Sequence, residues 1–188
     1  MAKTVKIALA GEGGQGVQSV AQILAEAANN EGKEVLYIPN FGVEQRGGVS
    51  VAFIQIGDKR IGSPKFQIGD IVIALSDRAV HRTRQYVGPN TTFVYDKSIE
   101  NIEDALPKNA GRILAIPALD IAKSELHPRV FNIVIMGAVV EATKVVKMDD
   151  AKAAVEKRFG YVFEKNPKLR ELNFAAIERG MQLIADAI

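Results

Sequence analysis

The sequence contains no cysteine and no tryptophan, and it has only two histidines among 188 residues. Without thiols the chain forms no disulfide, and it supplies none of the thiolates that hold iron–sulfur clusters. A zinc site normally takes three or four side-chain ligands, whereas His81 and His127 are far apart in sequence and no acidic motif frames them. The composition therefore excludes a disulfide scaffold and predicts no metal site on this chain.

The sequence also lacks a strong charge of one sign, since 24 Lys and Arg against 22 Asp and Glu leave a net charge of +2. Two small basic groups fall in helical patterns with acidic neighbours, and we interpret both as solvent-facing rather than nucleic-acid-binding. The first group is Arg78, His81, Arg82 and Arg84, and the second is Lys152, Lys157 and Arg158.

Long hydrophobic runs are missing as well. The longest apolar stretch, residues 130–140, contains Asn132 and reaches about half of a bilayer span. The first residues become polar too soon for a signal peptide. We therefore expect a cytoplasmic protein that does not associate with a membrane.

The apolar residues alternate between strand-like runs and helical spacing, which predicts one α/β domain over residues 1–188 with a doubly wound, mostly parallel, Rossmann-like sheet. Residues 49–56 alternate in polarity, a turn follows at residues 57–58, and residues 59–61 start a return, so we expect an inserted β-hairpin. The last third is predicted to be helical, with a buried helix over residues 131–146. The other strands are predicted at residues 5–10, 34–38, 71–75, 92–95 and 112–116.

A glycine-rich loop follows the first predicted strand and reads Gly11-Glu12-Gly13-Gly14-Gln15-Gly16. Its spacing satisfies G-x-G-x-x-G between a strand and a helix, as a phosphate-binding loop requires. Glycines let a ligand approach the backbone closely, and the N–H groups at the start of a helix favour an anion. The loop predicts a backbone surface for a phosphate-bearing ligand, with a purely structural tight turn as the alternative.

Three features weigh against a dinucleotide at this loop. In dinucleotide-binding folds an acidic residue ends the second strand and holds a ribose hydroxyl, but here that strand ends Ile38-Pro39-Asn40. Glu12 places a carboxylate within the loop, and the loop contains no Lys or Arg. A stand-alone NAD(P)-binding oxidoreductase stays open as an alternative.

A second motif follows the first helix and reads Phe41-Gly42-Val43-Glu44-Gln45-Arg46-Gly47-Gly48-Val49-Ser50, with Ser63-Pro64 and Gly69-Asp70 after it. Together with the glycine loop it resembles the gamma subunit, or gamma domain, of 2-oxoacid:ferredoxin oxidoreductases. The resemblance keeps its order from Val5 to about Asn173. One departure is Val43, where relatives often have a proline before the glutamate.

The resemblance implies a reaction in which a 2-oxoacid is oxidatively decarboxylated with coenzyme A to an acyl-CoA, carbon dioxide and two electrons for ferredoxin. It implies partner subunits, alpha, beta and delta, that carry thiamine diphosphate, Mg and the iron–sulfur clusters. No cofactor is expected to bind to this chain alone, although coenzyme A is a candidate at its surface. We expect no catalytic residue here, and therefore no activity from the isolated chain.

The resemblance also gives the candidate site residues their roles. The expected cofactor-binding or partner-facing residues are Gly11, Gly13, Gly14, Gln15, Gly16 and Arg46, and the expected site edge is Glu44, Gly47 and Gly48. Arg46 is the only cation that the sequence places near the glycine loop, and it is suited to a phosphate or a carboxylate. Local pairing of Arg46 with Glu44 or Asp58, or a bulge at Gly47 and Gly48, is the structural alternative.

The form Arg46-Gly47-Gly48 looks closer to the 2-oxoglutarate and branched-chain types than to the pyruvate type. A coenzyme A- or nucleotide-binding module that regulates a partner is a further alternative. A surface built for partners would also let the isolated chain form a homodimer.

Overall fold

The computed structural model describes residues 4–42 and 48–188. The strands are Val5–Glu12 (β1), Glu34–Asn40 (β2), Val49–Gly57 (β3), Ile71–Ala74 (β4), Thr92–Asp96 (β5) and Arg112–Ile116 (β6). The α-helices are Val17–Asn30 (α1), Asp77–Thr83 (α2), Ala118–Ser124 (α3), Phe131–Thr143 (α4), Met148–Lys165 (α5) and Pro167–Ala187 (α6). The predicted helical C-terminal third is therefore confirmed.

The strands form one mixed sheet in the order β2-β3-β1-β4-β5-β6. β1, β4, β5 and β6 run parallel to one another, whereas β3 is antiparallel to both of its neighbours, β1 and β2. Side chains alternate between the two faces of a strand, so Ile7 and Leu9 pack in one core and Ala8 and Ala10 in the other. Because helices cover both faces, the predicted α/β, Rossmann-like fold class is confirmed.

The inserted antiparallel element differs in detail from the prediction. β3 takes β2 and β1 as its partners, and residues 59–61 form no return strand. The amide of Gln55 donates to the carbonyl of Ser63 at 2.7 Å, so a side chain rather than a strand ladder holds the following segment. The sequence predicted that β3 would pair with a return strand after it. In the structure, β3 pairs with β2, the strand before it in the chain, and with β1.

The β1–α1–β2 unit shows a second difference. Such units ordinarily connect neighbouring parallel strands, but here β3 lies between β1 and β2. β3 is an interior strand, because Val51 and Ala52 are buried on opposite faces of the sheet. The position of β3 beside β1 buries both faces of this strand. This burial stabilises the sheet more than direct pairing of β1 with β2, the next strand in the chain, would.

Different helices pack against the two faces of the sheet and form the two cores. α1, α4, α5 and α6 cover one face, and α2 with the segment around Phe66 covers the other. α4 is apolar on nearly all sides and is largely buried. No helix of the described residues is apolar over a sufficient length to cross a bilayer.

Candidate functional site

The glycine loop, residues 11–16, starts with the last two residues of β1, Gly11 and Glu12, and leads into α1 at Val17. Gly14 has φ +92° and Gly16 has φ +75°, a region that other residues rarely adopt. Gly16 is the N-cap residue of α1, and a Cβ there would lie 2.7 Å from the Cβ of Asn132 on α4. Glycine is therefore required at position 16 by both backbone conformation and space.

Gln15 holds the loop in shape through its side chain. Its carbonyl oxygen accepts a hydrogen bond from the N–H of Glu12 at 2.7 Å, and its amide donates to the carbonyl of Leu75 at 2.7 Å. A Cβ at Gly11 would lie 2.6 Å from that same carbonyl oxygen of Gln15. The side chain thus joins the glycine loop to the end of β4, and Gly11 leaves room for it.

The loop presents backbone rather than side chains to the outside. Gly13 and Gly14 are exposed, Gly16 is half-buried and Gly11 is buried. No side chain caps the start of α1, and the first N–H groups of an α-helix have no partner within the helix. This geometry suits an acceptor group of a ligand or partner, although the half-buried Glu12 adds a carboxylate beside it.

The second motif meets the glycine loop through strand register. Val49 pairs with Glu12, so Gly48 lies one residue beyond this pair, at the carboxyl edge of β1. The structure therefore brings Gly48 next to the glycine loop. The predicted site residues Glu44, Arg46 and Gly47 lie outside the described residues.

A hydrogen-bonded chain of side chains fixes β2 and β3 against the first turn of α1. The hydroxyl of Tyr37 donates to the side-chain carbonyl of Gln18 at 2.5 Å, and the amide of Gln18 donates to the hydroxyl of Ser50 at 2.5 Å. Burial raises the pKa of Tyr37 and outweighs the opposing effects of Gln22 and Arg158, so Tyr37 stays a donor. Sequence reasoning missed Gln18, since nothing in the sequence distinguishes it from a surface glutamine.

A cavity of about 660 Å³, which we call the basic cavity, opens at the carboxyl edge of the sheet on the α2 side. Its lining includes Phe41 and Val49 from the ends of β2 and β3, and Arg78, His81 and Arg82 from α2. No acidic residue of the described chain lines it. The Nε2 atom of His81 lies 3.5 Å from a carboxylate oxygen of Asp77, and both side chains are exposed.

The basic residues of this cavity modify the solvent-facing interpretation. All three are exposed, but they surround a cavity at the edge where ligands of open α/β sheets bind. Positions 78, 81 and 82 share one face of a helix, and this spacing was the available signal. The sequence alone did not indicate that this face of α2 and the ends of β2 and β3 line the same cavity. That arrangement depends on the position of β3 in the sheet, which was not predictable.

A buried carboxylate at this edge, that of Asp96, has a structural role. Asp96, at the end of β5, is buried, and its oxygens accept hydrogen bonds from the backbone N–H of Leu119 at 2.9 Å and of Ser98 at 3.0 Å. Residues 4–42 and 48–188 contain no cluster of three or more His, Asp or Glu side chains suited to a metal. The arrangement is suited to binding through backbone groups and cations.

Comparison with known protein families gives one match that spans most of the chain. The family model described as pyruvate ferredoxin/flavodoxin oxidoreductase matches residues 6–183.

Two relatives differ in how much of their own length the chain covers. The chain is 36% identical over 177 residues to the pyruvate/ketoisovalerate oxidoreductases common subunit gamma of Thermococcus kodakarensis, covering 90% of this chain and 95% of that one. It is 30% identical to the ketoisovalerate oxidoreductase subunit VorA of Methanothermobacter thermautotrophicus, covering 95% of this chain but 36% of the relative. The chain therefore spans about a third of VorA and nearly all of the separate subunit.

Among solved structures, one similar chain is described as 2-oxoglutarate:ferredoxin oxidoreductase from Magnetococcus marinus with 2-oxoglutarate, coenzyme A and succinyl-CoA bound. The TM-score is 0.89 at 25% identity, and the match covers 99% of this chain and 32% of that chain. The fold described above thus forms one part of a longer polypeptide in that protein.

Proposed function

The chain belongs to the pyruvate ferredoxin/flavodoxin oxidoreductase family, and we propose that it is the gamma subunit of a multi-subunit 2-oxoacid:ferredoxin oxidoreductase. The observation that carries the proposal is coverage: the chain spans 95% of a relative named as a separate gamma subunit. The chain contains no cysteine, so iron–sulfur clusters need thiolates from partner subunits. The proposed partners are the alpha, beta and delta subunits, with ferredoxin as electron acceptor and the complex in the cytoplasm.

Coenzyme A is the ligand that we propose for the edge formed by the glycine loop and the basic cavity. The exposed backbone of Gly13 and Gly14 offers N–H groups, and Arg78 and Arg82 offer cations near the same edge. Guanidinium groups bind phosphate well. Their positive charge offsets the repulsion between a phosphate and the carboxylate of Glu12. When bound, coenzyme A supplies the thiol that accepts the acyl group, while this chain positions it.

The first substrate to test is 2-oxoglutarate, because the form Arg46-Gly47-Gly48 resembles the 2-oxoglutarate and branched-chain types. Similar chains are named for pyruvate, ketoisovalerate and 2-oxoglutarate, so all of these belong in the substrate panel. Thiamine diphosphate and Mg are proposed for the partner subunits, where decarboxylation takes place.

The stand-alone NAD(P)-dependent alternative is not favoured by the sheet. In dinucleotide-binding folds the second strand lies beside the first and ends in the acidic residue that holds a ribose. Here β3 separates β1 from β2, and β2 ends in Asn40. A regulatory module that binds coenzyme A without turnover in any complex is the other alternative.

The test of the proposed function is capture followed by an activity assay. The tagged chain is purified anaerobically from the soluble fraction of its native cells, and coenzyme A-dependent viologen reduction is measured with each 2-oxoacid. We expect partner chains that contain iron–sulfur clusters, and reduction with one 2-oxoacid. Capture of the chain alone, together with binding of NAD(H), would contradict the proposal, whereas capture without reduction by any 2-oxoacid would favour the regulatory module.

Gly14→Asp in this complex is expected to raise the KM for coenzyme A by about tenfold, the effect of placing a carboxylate near a bound phosphate. A Cβ at Gly14 meets no atom within 4 Å, and Asp tolerates positive φ better than most residues, so the loop should keep its shape. The measurement is the steady-state KM for coenzyme A at low salt.

Gly14→Asn is the matched control, because it has the same shape and backbone preference without the charge. We expect its KM to stay close to that of the wild type. Equal KM values for both variants would show that no phosphate approaches this part of the loop. Loss of partner capture by both variants would instead indicate that the loop faces a subunit.

A further inference from the structure

A second cavity, which we call the helix-end pocket, lies on the opposite face of the sheet from the basic cavity. It has a volume of about 440 Å³ and is bounded by α1, α4, α5, α6 and the turn before α4. Pockets that hold small molecules typically measure about 300–1,000 Å³ and combine apolar walls with a few polar groups. The size and lining of the helix-end pocket match that description.

The floor of the helix-end pocket is apolar. Ile133 and Phe163 are buried there, while Phe159 and Leu172 are half-buried and line the opening. These side chains leave apolar surface in contact with water, and covering such surface is favourable. An occupant with an aliphatic or aromatic group would therefore be stabilised.

The rim carries hydrogen-bond donors. Ser19, His127, Arg129 and Asn132 line it, and no acidic side chain of the described residues does so. The Nδ1 atom of His127 accepts from the backbone N–H of Arg129 at 3.1 Å, which leaves Nε2–H as a donor. Within the described chain, the hydroxyl of Ser19, the guanidinium of Arg129 and the amide of Asn132 have no hydrogen-bond or ion-pair partner.

We propose that the helix-end pocket binds a small carboxylic acid that has a branched aliphatic or aromatic substituent. The carboxylate pairs with Arg129 and accepts from the neighbouring donors, because carboxylates form strong charge-assisted bonds with guanidinium groups. The substituent covers the apolar floor. This site is distinct from the coenzyme A edge, since Asn132 packs against Gly16 between the two.

The test is calorimetric titration of the full purified chain with 3-methyl-2-oxobutanoate, phenylacetate, acetate and 2-oxoglutarate. We expect the first two acids to bind at least about tenfold more tightly than the last two, which lack an apolar substituent. Arg129→Gln is expected to weaken binding of both by about tenfold. Leu172→Asn keeps the side-chain size and is expected to weaken it by about fivefold.

Arg112→Gln is the matched control, because Arg112 is exposed on β6 and does not line this pocket. Equal binding of acetate, or unchanged binding by Arg129→Gln, would overturn the proposal. Absence of binding by either apolar acid at about 10 mM would also overturn it. If neither acid binds and both pocket variants lose partner capture, the pocket is part of a subunit interface. The titration needs no partner chain, so its result is independent of the proposed gamma-subunit role.

Discussion

Gly180→Ala is expected to lower the free energy of unfolding by about 3 kcal/mol, at the upper end of the usual cost of overpacking a core. A Cβ at Gly180 on α6 would lie 1.9 Å from the carbonyl oxygen of Val134 on α4 and 2.8 Å from its carbonyl carbon. These atoms belong to a helix backbone, so no side-chain rotation relieves the contact. The gain in helix propensity, about 1 kcal/mol, offsets only part of the cost.

Gly137 makes the reciprocal contact, because a Cβ there would lie 2.1 Å from the carbonyl oxygen of Ile177 on α6. Gly160→Ala is the matched control, since Gly160 is also within a helix and has nothing within 4 Å of its Cβ position. We expect Gly160→Ala to stabilise the chain by about 0.5–1 kcal/mol. Urea unfolding monitored by circular dichroism measures both changes. A loss below about 0.5 kcal/mol for Gly180→Ala would contradict the close contact of α4 and α6.

Gly16→Ala is expected to cost about 3 kcal/mol and to abolish the coenzyme A binding that we propose for the glycine loop, because it combines backbone strain with overpacking. The residue has φ +75°, and its added Cβ would lie 2.7 Å from the Cβ of Asn132. Relief requires α1 and α4 to move apart, which displaces the first turn of α1 from the loop. The measurements are urea unfolding of the chain and the KM of its complex for coenzyme A.

Gly14→Ala separates the two causes, since Gly14 also has positive φ but has open space around its Cβ position. We expect it to cost only about 1–2 kcal/mol, the strain of a left-handed residue. If both alanine variants lose the same stability, the contact between Gly16 and Asn132 contributes nothing. A Gly16→Ala complex with an unchanged KM would show that the shape of the loop is unimportant for binding.

The fold was largely predictable because its elements follow local rules. β4, β5 and β6 are short apolar runs, and α6 begins at Pro167 as a proline at the first helical position predicts. The position of β3 was not predictable. Its alternation indicates a strand, but the choice between β2 and a return segment as its partner depends on contacts distant in sequence.

The candidate site was likewise predictable only in part from the sequence. The glycine spacing predicts the loop, and Gly48 does lie beside it because Val49 pairs with Glu12. The structure adds the use of the Gln15 side chain, which binds the backbone of Glu12 and Leu75. The assignment of these residues to ligand or partner stays a prediction.

The sequence by itself determined the α/β class, the glycine loop between β1 and α1, and the absence of cysteine ligands, since each depends on residue type or short-range periodicity. Only the tertiary structure decided that β3 enters between β2 and β1, that Arg78, His81 and Arg82 face a cavity at the carboxyl edge, and that Asn132 packs against Gly16. Those features depend on burying both faces of a sheet and on close helix packing, which join residues far apart in the chain.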